Sequence, residues 1–344
     1  MLVLRDKEVK TILTDLSVAN CHQLLDSLSK SLLDYSNSEN TPDNLVHQPL
    51  RQVFTTAPGH TSLFMPASNT ASTGIKIVTL PGNGGAPRGA INVFAPAGEL
   101  IGLLNAEEIT AFRTALASMI MFLKCPIQKT HIVVFGAGKQ AEWHIRLAVL
   151  LSGNSIQNIT IVNRSSSTLE QLNARLENLK QQYKNLNIRF IPKDRVANYE
   201  LELKTVLQDC DAIMCCTPST EPLFPSSYLA ADQNIRPKNR FISLIGSYKP
   251  NMQEVDSETL LCGRNIYVDS REACLEEAGE IIKAQVPGTR LIQVGEMLSH
   301  PETSSIDGNL VFKCVGMGIM DVVVASELLN IAKEKGIGKT VDNF

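Results

Sequence analysis

The sequence contains no apolar run approaching the roughly 18 residues that a membrane-spanning helix needs. Its first residues, Met1-Leu-Val-Leu-Arg-Asp-Lys-Glu, also lack the apolar stretch of a secretory signal. There is no basic block, and the net charge is −3, which argues against nucleic acid and against a membrane surface as partners. The eight cysteines are scattered and form no C-x-x-C pair, so neither a zinc ribbon nor a dithiol redox site is expected. The six histidines form no H-x-x-x-H or H-E-x-x-H pattern, and we expect no metal. These absences together describe a soluble cytoplasmic protein with reduced, mostly buried thiols. The 344 residues, 44% hydrophobic and 19% charged, are long for one core and suit two domains.

The most informative segment that is present is His131-Ile-Val-Val-Phe-Gly-Ala-Gly-Lys-Gln-Ala-Glu. An apolar strand, a Gly-x-Gly-x-x-Ala turn and a helix opening follow one another, the arrangement that cradles a dinucleotide pyrophosphate. Gly136 permits the tight turn, Gly138 lets the backbone approach the phosphates, and Ala141 keeps helix and strand close. Ala137, Lys139 and Gln140 complete the predicted phosphate loop. A second strand, Asn158-Ile-Thr-Ile-Val-Asn163, ends where the ribose-reading residue belongs. NAD sites place a carboxylate there, but this chain has Asn163-Arg164-Ser165-Ser166-Ser167. Arg164 can pair with a 2′-phosphate, and the serines can donate to it or cap a helix over 168–183. The expected cofactor is therefore NADPH, with NADH binding more weakly.

Strands near 188–191, 212–217, 240–246 and 265–269 alternate with helices at 199–208 and 272–284, which predicts a parallel, doubly wound sheet. Thr217 and Ser219 lie at a strand's carboxyl end, where such sheets bind ligands; turn chemistry around Pro218 is the alternative. The first 124 residues differ. Helices at 6–15 and 20–35 precede a polar loop, Ser36–Asp43, and strands at 50–56, 61–66, 73–80, 89–95 and 99–105. Short connections, among them Ala95-Pro-Ala-Gly98, predict a mainly antiparallel sheet. A helix over 106–124 follows, and a last helix runs from Met317 to Lys335.

Three cations stand in apolar settings: Lys76 in Gly-Ile-Lys-Ile-Val, Arg113 on an otherwise apolar helix, and Arg51 before a strand. A buried cation needs a carboxylate partner or a wet cavity. Converging on one cleft, these three would hold a substrate carboxylate; separate internal ion pairs or snorkelling at a sheet edge are the alternatives. A shared anion site predicts that Arg113→Met alters kinetics while leaving the melting temperature nearly unchanged.

From about residue 45 onward the chain resembles the ornithine cyclodeaminase and mu-crystallin family. The resemblance rests on Thr61-Ser-Leu-Phe-Met-Pro-Ala, Gly74-Ile-Lys-Ile-Val, Thr110-Ala-Phe-Arg-Thr-Ala, Val134-Phe-Gly-Ala-Gly-Lys-Gln-Ala, Gly246-Ser-Tyr-Lys-Pro-Asn-Met-Gln-Glu-Val-Asp and Val268-Asp-Ser, in that order. It implies an α/β protein with a Rossmann-type doubly wound nucleotide domain and a discontinuous α+β substrate and dimerisation domain. The expected boundaries are 1–124 for the substrate and dimerisation domain, 125–315 for the nucleotide domain and 316–344 for the returning C-terminal helix. It also implies a homodimer, carboxylate binding by Arg51, Lys76 and Arg113, and a nicotinamide site that includes Lys313 and Gly316.

One departure separates the branches of that family. Cyclodeaminases carry a catalytic Asp just after the Gly matching Gly246, and here Ser247 or Tyr248 stands at that place. The next acids, Glu254 and Asp256, look like helix-start residues. The resemblance therefore points to the ketimine-reductase-like branch: NADPH-dependent reduction of a C=N bond beside a carboxylate, such as pyrroline- or piperideine-2-carboxylate, giving an amino acid. The nicotinamide would lie in a cleft between the domains, with Lys76 as candidate catalytic proton donor. The alternatives are a cyclodeaminase-type lyase with bound NAD and a non-catalytic, mu-crystallin-like ligand-binding protein.

Overall fold

A computed structural model describes residues 1–38, 44–230, 238–300 and 309–342; residues 39–43 of the expected polar loop fall outside them. In chain order the early elements are β1 (Leu2–Leu4), α1 (Asp6–Thr14), α2 (Val18–Ser38), β2 (Val46–His47), β3 (Gln52–Thr55), β4 (Thr61–Asn69), β5 (Thr73–Leu80), β6 (Arg88–Phe94), β7 (Leu100–Asn105) and α3 (Ala106–Lys124). Then come β8 (His131–Phe135), α4 (Lys139–Ser152), β9 (Asn158–Asn163), α5 (Ser166–Arg175), α6 (Glu177–Gln182), β10 (Asn187–Pro192), α7 (Tyr199–Asp209), β11 (Ala212–Cys215) and β12 (Phe241–Leu244). The remainder is α8 (Ser257–Leu261), β13 (Ile266–Val268), α9 (Arg271–Glu277), α10 (Gly279–Lys283), β14 (Leu291–Gln293), α11 (Val294–Ser299), β15 (Leu310–Lys313), α12 (Gly318–Lys335) and β16 (Lys339–Thr340).

The chain divides into two compact units, Met1–Leu116 with Gly316–Phe344, and Ala117–Val315. The first unit holds a mainly antiparallel sheet ordered β16-β1-β7-β6-β5-β4-β2, with β3 also on β4. Strand side chains alternate between faces, so Met65, Lys76, Ile91 and Leu104, aligned across four strands, share one buried face. Helix α12 lies against that face. It is apolar all round and accordingly buried along most of its length. Two strand glycines let it come close: a Cβ on Gly74 would meet Val322 at 2.7 Å, and one on Gly102 would meet Leu329 at 2.3 Å.

The second unit is the expected parallel sheet, ordered β10-β9-β8-β11-β12-β15-β13-β14. Its central strands are apolar on both faces, as helices on each side require. Two single helices expected from the sequence are each broken in two. Helix 168–183 stops at the fully buried Leu176, with φ −87° and ψ 1°, before α6 resumes. Helix 272–284 breaks at Ala278 because the next residue, Gly279, packs on a neighbouring loop; a Cβ there would lie 1.9 Å from the Met252 carbonyl. Of the eight cysteines, none in a disulfide, seven are buried and Cys262 is exposed. No helix among the described residues is long and apolar enough to cross a membrane.

Candidate active site

In the second unit, the turn after β8 has the geometry that a phosphate needs. Gly136 sits at φ +110°, a conformation that other residues rarely adopt, and its N–H donates to the Val162 carbonyl at 2.9 Å. Gly138 is the N-cap of α4 and contributes no side-chain cap, and a Cβ placed on it would meet nothing within 4 Å. Open space thus lies directly before the first turn of α4, at Lys139 and Gln140, where the helix dipole favours an anion. Ala141 is fully buried against the sheet. These residues fit a dinucleotide pyrophosphate.

At the end of β9, the Asn163 amide donates to the Ser165 carbonyl at 3.1 Å, which orders the turn. Arg164 is exposed there. Ser165 precedes α5, but its hydroxyl bonds Ser167 at 2.8 Å and caps nothing. The cap comes from Asp194, a residue the sequence reading missed, whose carboxylate accepts from the Ser166 N–H at 3.0 Å and from the Ser166 hydroxyl at 3.1 Å. Those bonds, opposed by partial desolvation, hold the Asp194 carboxyl below its ordinary range.

At the end of β11, the Ser219 hydroxyl closes a turn onto the Glu221 carbonyl at 2.5 Å, the turn chemistry kept open above. The Thr217 hydroxyl is buried with no hydrogen-bond partner among the described residues. Glu254 corrects an expectation: only Asp256 begins a helix, capping α8 through Thr259 N–H at 2.8 Å. Glu254 is buried instead, accepting from Thr217 N–H at 3.0 Å and Gly246 N–H at 2.7 Å, and so ties the ends of β11 and β12 together. Burial pushes its carboxyl up to about 8 against the pull of Lys313.

Lys313 turns wholly inward. Its Nζ lies 3.0 Å from Glu280 Oε1 and donates to the Ser247 carbonyl at 2.6 Å and hydroxyl at 2.7 Å. Burial lowers this ammonium, but Glu280 and Glu254 outweigh burial and hold it above its ordinary value. Ser247, which with Tyr248 stands where a cyclodeaminase would carry its Asp, also donates to Glu280.

In the first unit, Lys76 and Arg113 converge on one internal carboxylate, Asp321 of α12. Lys76 Nζ lies 2.6 Å from Asp321 Oδ2, and Arg113 Nε lies 3.0 Å from Oδ1. All three are buried. One shared protein carboxylate is neither the shared substrate site nor the separate ion pairs expected from the sequence. A lone acid in the apolar run Met320-Asp-Val-Val-Val-Ala is as conspicuous as Arg113, so the signal was there. Gly316, expected at the cofactor, has φ +90° and lies flat against Arg113; a Cβ there would be 2.6 Å from its guanidinium. Burial lowers the Lys76 ammonium to about 8; Asp321 pulls it up, while Arg113 and Arg51 push it down. Arg51 is therefore within electrostatic reach, and the three cations share one neighbourhood.

A model of the ornithine cyclodeaminase/mu-crystallin family matches residues 8–336. An uncharacterized protein of Saccharomyces cerevisiae is 32% identical over 362 residues, covering 96% of each chain. The ketimine reductase mu-crystallin of Rattus norvegicus is 28% identical over 314 residues, covering 88% of this chain and 90% of that protein. Among solved structures, the Δ1-pyrroline-2-carboxylate reductase of Thermococcus litoralis, in complex with NADH and L-proline, superposes with a TM-score of 0.79 at 20% identity, covering 99% of this chain and 100% of that one.

Proposed function

We propose a reductase of carbon–nitrogen double bonds, starting from the fact that this chain belongs to the ornithine cyclodeaminase/mu-crystallin family. It is an NAD(P)-dependent oxidoreductase, and its substrate is a cyclic ketimine with a carboxylate on the imine carbon. The observation that carries this reading is the buried Lys76–Asp321–Arg113 cluster, with Lys76 brought to about 8. An ammonium with that pKa is a competent acid near neutral pH.

When bound, the nicotinamide supplies the hydride that adds to the imine carbon. This chain's residues do the rest. Arg51 and Arg113 hold the substrate carboxylate, Arg113 being aimed by Asp321 at its Nε edge. Lys76 gives a proton to the imine nitrogen, so C=N becomes CH–NH, and Lys76 is reprotonated from solvent. Gly136 to Gln140 hold the pyrophosphate, Arg164 pairs with the 2′-phosphate of NADPH, and Thr217 faces the ligand end of the sheet. Lys313 contributes through its backbone, since its side chain is committed to Glu280. The same commitment argues against lyase chemistry at Ser247: the carboxylate bonded to it is buried and neutralised.

A homodimer completes the reading. The second face of the first unit's sheet, including Phe64, Pro66, Ile75 and Ile77, is apolar yet half-exposed, and a second copy would cover it.

The test is a panel of cyclic and linear α-imino acids with NADPH, followed by cofactor absorbance. Pyrroline- or piperideine-2-carboxylate should yield the saturated amino acid with one NADPH consumed per turnover. Ornithine with NAD should release no ammonia. Ammonia release without net NADPH use would overturn the assignment in favour of the lyase.

A further inference from the structure

The phosphate loop is held from behind by a residue far away in sequence. Arg175, the last residue of α5, donates from Nη2 to the Ala137 carbonyl at 2.9 Å, between the two loop glycines. Its Nε lies 2.7 Å from Glu142 Oε2, so two different edges of one guanidinium are used. Glu142, buried in the first turn of α4, is bonded on its other oxygen by Arg146 Nε at 3.0 Å. Arg146 then reaches back to the Arg175 carbonyl at 2.5 Å and closes the ring. The Arg146 contact satisfies the last carbonyl of α5, but the Arg175 contact with Ala137, which lies in neither flanking element, caps no helix.

We propose that Arg175 is a positioning residue for the cofactor pyrophosphate, given the dinucleotide reading of the loop. A trans peptide carries its C=O and N–H on opposite sides of a rigid plane. Fixing the Ala137 oxygen toward Arg175 therefore fixes the Gly138 N–H away from it, toward the open space before α4. A glycine-flanked peptide can otherwise flip at little steric cost, and the flipped form would present a carbonyl oxygen to a phosphate. Glu142 locks the guanidinium by its Nε edge, leaving Nη2 one direction to point. Arg175, locked by Glu142, thus pre-pays the ordering that an unclamped loop would undergo on binding. Arg146 touches Glu142 and the Arg175 backbone but not the loop, so it serves as an internal control.

Calorimetry on the full chain separates this role from simple stabilisation. Arg175→Met should weaken ADP-ribose and NADPH by about tenfold, roughly what one well-made hydrogen bond is worth. Affinity for 2′-phosphoadenosine, which has no pyrophosphate, should stay within twofold. Arg146→Met should leave all three affinities within twofold, whatever it does to melting temperature. Arg175→Lys keeps a charge but cannot span both partners, so it should fall between Arg175→Met and wild type; it also serves if Arg175→Met does not fold. In turnover, KM for NADPH should rise with kcat unchanged. Unchanged ADP-ribose affinity in both Arg175 variants, or equal losses for Arg175→Met and Arg146→Met, would overturn the clamp. A wild-type protein that binds neither ADP-ribose nor NADPH would instead overturn the dinucleotide reading beneath it.

Discussion

Lys76 is pulled in two directions. Burial strips water from its ammonium, Asp321 at 2.6 Å restores part of the loss, and Arg113 and Arg51 add repulsion, leaving it at about 8. In its proposed role as proton donor it works only while charged, so kcat/KM for a cyclic ketimine should fall as pH rises through about 8. Lys76→Arg, which does not titrate there, should abolish that limb. Stability moves the other way: the unfolded chain keeps this proton up to the ordinary 10.5, so between about 8 and 10.5 raising the pH favours the folded state through this group. Asp321→Asn removes the attraction that supports Lys76, so the limb should shift to lower pH. It also leaves two buried cations without their carboxylate, a loss of about 3–5 kcal/mol visible in thermal melts. Arg113→Met leaves Asp321 paired with Lys76, so it should raise substrate KM and, by removing a like charge beside Lys76, move the limb to higher pH. A limb unmoved by Asp321→Asn would detach Lys76 from the pH profile.

At the scale of elements, the β8–α4 turn was legible because its determinants are contiguous: a positive-φ glycine, an open N-cap and a buried alanine within a few residues. The β9–α5 turn was legible only in part. Arg164 is exposed just after the strand, where its place in the sequence puts it, but the cap on α5 comes from Asp194, beyond the next strand. That carboxylate occupies the Ser166 N–H, so in the proposed NADPH site selectivity for a 2′-phosphate would rest on Arg164 rather than on the helix terminus. Arg164→Ala should therefore bring the affinities for NADPH and NADH close together, mainly by weakening NADPH. An unchanged ratio would show that the 2′-phosphate is read elsewhere. The break at Leu176 was not legible, because leucine is an ordinary helix residue until the surface it meets is known, whereas Gly279 is a weak helix former whose close packing only the fold reveals.

At the scale of the molecule, the sheet of the first unit is covered by α12 on one face and half-exposed on the other. Lys76 belongs to the covered face and its neighbours Ile75 and Ile77 to the other, as the two-residue period of a strand requires. Light scattering should report a dimer for the native chain. Ile77→Glu should give a monomer while leaving the buried face and its ion cluster intact. A native monomer, or a dimer indifferent to Ile77→Glu, would move the association surface elsewhere.

The sequence alone determined whatever depends on residues close along the chain: the glycine turn, the strand and helix periods, and the anomaly of Lys76 and Arg113 in apolar surroundings. Local backbone sterics and side-chain periodicity act over a few residues, so they are written contiguously. Tertiary structure alone decided how the buried charges are paired. Arg113 meets a carboxylate 208 positions away. The Lys313 side chain pairs with Glu280, Glu254 becomes a buried strap between strand ends, and Arg175 reaches back to the phosphate loop. A buried charge must have a partner, but any acid or base the fold brings within about 3 Å will satisfy it, and only the packing of the elements chooses which one arrives.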